Sequence, residues 1–306
     1  MMIKQANHEM KDQAQALRGL QAAQGQETVP ADYTAGPQVI SVTSGKGGVG
    51  KTSVVSNLAV SWAKQGERIL IIDADLGLAN IDVVFGLSPK YTLNHFFANK
   101  RGLQDIMIEG PHGIKILPAG SGVQRYTTLI PADHLRFIDE LDSLNSDFDL
   151  VLVDTGAGIS ENVTYFSTAA QTILVVTTPQ ITAITDAYAL MKLLALRYHE
   201  KNFHLLVNTA KNEREALQVY EKLTMVANRF LGASVDFVGW LPYEKRLNDA
   251  LSRQKAFVDM YPKSKLGDGC QNIIDKLQSD SDLNSQKGTP QFFWSKLLRL
   301  VDWKKT

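Results

Sequence analysis

One cysteine in 306 residues, Cys270, leaves nothing from which to build a disulfide framework, and alone it cannot hold zinc or an iron–sulfur cluster. The histidines offer no substitute. His95, His112, His134, His199 and His204 are scattered without metal-ligand spacing. No Ser/His/Asp arrangement for acyl transfer is legible, and no internal repeat is present. No apolar run reaches the ~20 residues that a bilayer span requires, and no early stretch reads as a secretory signal, so the expected location is the cytoplasm. Charge of neither sign is in excess: 32 Lys and Arg stand against 32 Asp and Glu, which argues against bulk attraction to nucleic acid.

Apolar residues, by contrast, are ample at 44%, and they fall into a pattern. Short runs rich in Val, Ile and Leu lie at 38–43, 68–72, 114–117, 149–153, 172–177, 203–207 and 235–240. Segments of helical period lie near 53–65, 131–146, 183–200, 213–231 and 263–278. This alternation predicts an α/β fold, a single doubly wound, mainly parallel sheet with helices on both faces, over residues 38–278. In such a sheet the chemistry gathers at the carboxyl ends of the strands.

The first strand end carries the strongest signal. Ser44-Gly45-Lys46-Gly47-Gly48-Val49-Gly50-Lys51-Thr52 lies between an apolar run and an amphipathic segment, the strand-then-helix context of a phosphate loop. Its glycines let backbone N–H groups turn inward around an anion, and the helix N-terminus adds its positive dipole end. Lys51 then reaches the outer phosphates, the Thr52 hydroxyl is placed to ligate magnesium, and Ser53 follows beside them.

Other strand ends carry acids or amides. The second run ends in Asp73-Ala74-Asp75, where a carboxylate orients an attacking water or assists magnesium through its water shell. The fourth ends in Asp154-Thr155-Gly156-Ala157-Gly158, which places a second carboxylate on the magnesium side. Each of these acids has the alternative role of capping a loop or helix. The sixth run ends at Asn208, whose amide matches the donor and acceptor of adenine, and the seventh at Pro242, whose backbone closes over a base; loop capping stays open for both.

The two ends of the chain stand apart from this core. Residues 1–37 combine a short helical candidate, Asp12-Gln13-Ala14-Gln15-Ala16-Leu17-Arg18, with a Gln/Ala/Gly/Pro tether, and read either as a disordered tail or as an arm that folds on a partner. Residues 279–290 form a polar linker. In 291–306 a helical wheel puts Phe293, Trp294, Leu297, Leu298, Leu300 and Val301 on one face, with Gln291, Ser295, Arg299 and Asp302 opposite. An aromatic-rich face with a basic flank suits a helix lying in a membrane interface; the alternative is a helix docked on the protein's own core.

Lys46 just after the first glycine, with Asp75 and the Asp154–Gly158 string, makes the region from about 38 to 260 resemble the MinD/ParA-type ATPases, which carry a deviant phosphate loop. The resemblance implies ATP and Mg2+ as cofactors and a homodimer in the ATP state. It implies that Lys46 crosses to the partner's nucleotide, that Asp75 positions water, that Asp154 sits near magnesium and that Asn208 reads adenine. Many relatives carry proline where Gly156 stands; this departure removes no chemical group and bears on the mobility of the second switch segment. The N-terminal Asp12–Arg18 string is similar to the DQAxxLR element of the FlhG (FleN) branch, regulators of flagellar number and placement. That branch implies an FlhF-type GTPase as partner, along with flagellar switch (C-ring) proteins, a flagellar transcription activator and reversible attachment to the inner membrane, at a cell pole in some cells. The rival expectations are a MinD-type selector of the division site and a ParA-type DNA-partitioning ATPase. The balanced charge and lipid-type tail speak against direct nucleic-acid binding.

Overall fold

All seven apolar runs form strands. The computed structural model describes residues 37–75, 80–120, parts of 136–144, and 147–283. In chain order the strands are β1 (Gln38–Ser44), β2 (Ile69–Ala74), β3 (Ile108–Glu109), β4 (Lys115–Leu117), β5 (Leu150–Ala157), β6 (Thr172–Thr177), β7 (Asn202–Ala210) and β8 (Ser234–Pro242). They make one sheet in the order β3-β4-β2-β5-β1-β6-β7-β8. Every pairing is parallel except β3 with β4, an antiparallel edge of two residues that the periodicity did not foretell. Its register sets Glu109 opposite Lys115, and the two side chains pair at 2.6 Å.

The helices are α1 (Lys51–Ala63), α2 (Ile81–Phe85), α3 (Leu93–Phe97), α4 (Leu103–Ile106), α5 (Glu161–Ala169), α6 (Ile181–Tyr198), α7 (Glu213–Leu231), α8 (Leu247–Ser252), α9 (Phe257–Met260) and α10 (Lys265–Leu283). Arg136, Phe137 and Asp139–Leu141 are also helical, within the expected 131–146 segment. Strand alternation sorts the core into layers. Ile40, Val42, Ile69, Ile71 and Leu152 point to the face covered by α1 and α10, while Val39, Leu70, Ile72, Val151 and Val153 point to the face covered by α3, α4 and α5. On that second face α6 and α7 cover Ile173 and Val175 of β6. Strands buried on both faces need no polar side, which is why the runs read as continuous apolar stretches. Full burial of each such side chain contributes about 1.5–3 kcal/mol.

The central strands β5 and β1 point their carboxyl ends, with that of β2, toward one edge. The phosphate loop, Asp73 and Asp154 are thereby gathered from distant parts of the sequence. The N-terminal arm with Asp12, Gln13, Ala14, Leu17 and Arg18, and the C-terminal segment with Phe293 through Val301, lie outside the described residues.

Candidate active site

Between Ser44 and Lys51 the chain must turn sharply while passing close to two neighbours. A Cβ at Gly45 would lie 1.9 Å from the Asp186 carbonyl oxygen, so only glycine lets the loop rest on α6. Gly50 has φ +89°, and a Cβ there would stand 2.5 Å from Asn208 Nδ2. Ser44 anchors the loop from below: its hydroxyl donates to the Lys46 carbonyl at 2.8 Å, and its own carbonyl accepts the Gly158 N–H at 2.9 Å.

Lys51 opens α1 and is buried, with 8% of its surface exposed. Burial lowers its pKa, opposed by the attraction of Asp154 and then of Asp75. Asp154 is 2% exposed. Burial raises its carboxyl to about 6, while the Thr52 hydroxyl and the Lys51 charge pull it down. Its Oδ1 has no hydrogen-bond partner in the structure. A buried carboxylate oxygen left unpartnered beside a threonine hydroxyl is costly unless a ligand completes it. That donor set, hard oxygens beside a phosphate loop, fits Mg2+.

Asp73 is placed otherwise. Its Oδ1 accepts the Asp75 N–H at 3.2 Å, and its Oδ2 accepts the N–H groups of Asn80 and Ile81 at 3.2 and 3.3 Å. It thus closes the turn into α2, and burial together with the Asp154 charge keeps its pKa well above the usual carboxylate range. Asp75 lies at the mouth, close enough to Lys51 to affect its charge, with Oδ1 3.6 Å from where a Cβ on Gly156 would stand. An alanine Cβ at 156 would therefore meet only ordinary contacts in this conformation.

Lys46 leans across the loop and donates to Thr182 Oγ1 at 2.8 Å. Beside it Ile181 is 82% exposed, and Ile159, next to Gly158, is 58% exposed. Asn208 is buried. Its Nδ2 donates to the Val49 carbonyl at 2.8 Å and its Oδ1 accepts the Thr209 N–H at 2.9 Å, so the amide braces the loop from the base side. Thr209, a β-branched residue at φ +56°, follows in strained backbone. Asn208 and Pro242 line one small cleft with Ser53, Tyr243, Leu247 and Asn248. Thr182, Asp186, Tyr243 and the exposed isoleucines were not foreseen. Only Tyr243, directly after Pro242, had a signal close by.

Comparison with known proteins agrees with this geometry. Residues 37–207 match the family described as AAA domain. The antiactivator FleN of Pseudomonas aeruginosa is 40% identical over 262 residues, covering 86% of this chain and 94% of that protein. The chain belongs to the FleN/FlhG family of MinD/ParA-type ATPases. The flagellum site-determining protein YlxH of Helicobacter pylori is 32% identical over 268 residues, covering 86% of this chain and 90% of its own. Among solved structures, the septum site-determining protein MinD of Pyrococcus horikoshii, complexed with Mg-ADP, superposes with a TM-score of 0.65 at 25% identity, covering 82% of this chain and 99% of that one. This FleN/FlhG-family member is accordingly an ATP-binding ATPase, and its relatives include flagellar regulators.

Proposed function

We propose that this ATPase is a switch whose nucleotide state sets its dimerisation and its attachment to the cytoplasmic membrane, and that it thereby regulates flagellar number or placement. The observation that carries the reading is Lys46: a cation at the rim of the loop, bonded among the described residues to the Thr182 hydroxyl and flanked by the exposed Ile159 and Ile181. Large apolar side chains standing out around a nucleotide mouth favour a second copy of the chain as cover. In that dimer Lys46 leaves Thr182 and reaches the partner's phosphates.

For hydrolysis, Lys51 and the backbone N–H groups of Gly47–Lys51 hold the terminal phosphates in line with a water oriented by Asp75. Thr52 and the open oxygen of Asp154, with Asp73 as a second carboxylate nearby, would hold Mg2+, which would supply charge neutralisation to the phosphates. Asn208 and Pro242 hold the adenine. The arm at Asp12–Arg18 engages an FlhF-type GTPase, with C-ring proteins and a transcription activator as further partners. No helix among the described residues is long and apolar enough to cross a membrane; attachment falls to Phe293, Trp294, Leu297, Leu298, Leu300 and Val301. One such helix binds lipid weakly, and two on a dimer bind far better.

The test is light scattering of the full chain with a non-cleavable ATP mimic, with ADP and without nucleotide, alongside liposome sedimentation. A dimer that forms and pellets only with the mimic is the expected result, lost on pelleting alone when 291–306 is deleted. A monomer in all three conditions would sink the reading.

A further inference from the structure

At the C-terminal end of α1, thirteen residues and about 20 Å from the phosphate loop, a groove of about 630 Å³ opens where α1 meets α2 and α9. Phe85, Leu87, Pro111 and Met260 give it apolar walls. Its rim is polar and mainly cationic. Asp259 accepts Lys64 Nζ at 2.6 Å and pairs with His112 Nε2 at 2.8 Å, and Lys255 stands exposed with no carboxylate paired to it among the described residues. Lys64 thus already neutralises Asp259, and Lys255 is left as the uncompensated charge of the rim.

The backbone around this groove is unusual. Gly86, His112 and Gln254 are all left-handed, at φ +66°, +56° and +55°. Two of the three are not glycine, and such residues gather at ligand clamps more than elsewhere. The turn at Pro111–Gly113 is what delivers the His112 ring to Asp259. Gly86 and Gln254 meet across the rim: a Cβ on Gly86 would lie 3.0 Å from the Gln254 Cβ.

We propose that this groove is an effector site for a small amphiphilic anion, and that α2 carries its occupancy to Asp73 and Asp75. The volume falls within the ~300–1,000 Å³ of small-molecule sites. The walls take an apolar body against Phe85, Leu87 and Met260, and the rim places an acidic head beside Lys255. The charge sign disfavours a cationic amphiphile. The relay is short. Phe85 forms the groove end of α2, only five residues long, and the other end is held where Asp73 Oδ2 accepts the Asn80 and Ile81 N–H groups. Asp75 lies two residues beyond that carboxylate, its own N–H bonded to Asp73 Oδ1. Displacement of Phe85 is therefore felt at Asp73 and Asp75 through one rigid turn and a half of helix.

Octanoate is the probe. The full chain, labelled at methionine ε- and isoleucine δ1-methyls and free of nucleotide, is titrated with octanoate and, separately, with octyltrimethylammonium. Working without nucleotide keeps a failure here distinct from a failure of the ATP-switch reading. The Met260 methyl shifts saturably, the Ile81 methyl shifts with the same midpoint, and the exposed-site variant Lys255→Glu raises that midpoint about fivefold. No saturable shift at Met260, an equal response to the cation, or an unchanged midpoint in Lys255→Glu would overturn the site. A saturating Met260 with an unmoved Ile81 would overturn the relay.

Discussion

Asp73 and Asp154 stand side by side in register on β2 and β5, each almost wholly buried. Burial pushes both carboxyls upward, Asp154 to about 6, and the charge of Asp154 adds to the rise at Asp73. Asp73 spends both oxygens on backbone N–H groups, whereas Asp154 keeps one oxygen open beside Thr52. The pair thus divides into an acid tied to the backbone and an acid with one oxygen still open.

That division has a pH signature. A carboxyl whose folded pKa exceeds its unfolded value stabilises the fold most at low pH, and the contribution is lost as pH rises from about 4 through the folded pKa. The nucleotide-free protein should therefore be less stable at pH 7.5 than at pH 5, by about 1.4 kcal/mol from Asp154, and melt correspondingly lower. Asp154→Asn should flatten this trend without abolishing it, since Asp73 shifts in the same direction. Stabilisation by Mg-ADP should grow over the same pH range in the natural protein and not in the variant. Calorimetry at several pH values checks both.

Asp75→Ala should bind ATP with near-normal affinity and hydrolyse it about 100-fold or more slowly. Phosphate-release assays beside nucleotide titration give the answer. A variant that turns over normally moves the water-positioning role elsewhere.

Gly45→Ala brings a methyl into the backbone of Asp186, which no rotamer change relieves. A cost of about 1–3 kcal/mol, or a melting temperature about 2–10 °C lower, should accompany loss of ATP binding. Unchanged melting would mean that α6 yields more easily than close packing allows.

Asn208→Ala separates brace from reader. Losing the bond to the Val49 carbonyl should weaken binding of any nucleoside triphosphate about tenfold. If the amide also reads adenine, ATP loses more than GTP. Equal losses would confine Asn208 to bracing.

Much of this was legible before any coordinates. The seven strands other than β3 were, because β-branched apolar runs bounded by helical periods leave few alternatives, and α7 lies on its expected 213–231 because its polar and apolar faces contrast sharply. α5 was invisible for the opposite reason. Asn162, Thr164, Ser167 and Thr168 are all buried there, and the hydroxyls of Thr164 and Thr168 donate back to the carbonyls of Ser160 and Thr164, so burial left no apolar stripe to read. Short α2, α8 and α9 have too few turns to show a period. The phosphate loop was legible because its spacing is dictated by the anion, while Thr182 and Asp186 were not, because their roles arise only when α6 packs beside β1.

β1 has a hydrogen-bonded neighbour along each side, β5 and β6, and so no free edge. The loop at its tip is fixed to the stiffest seam of the molecule. Turnover must then express itself in the segments that leave β2 and β5, and a pair of spectroscopic rulers fixed to β1 and β6 should read one constant separation through the whole cycle.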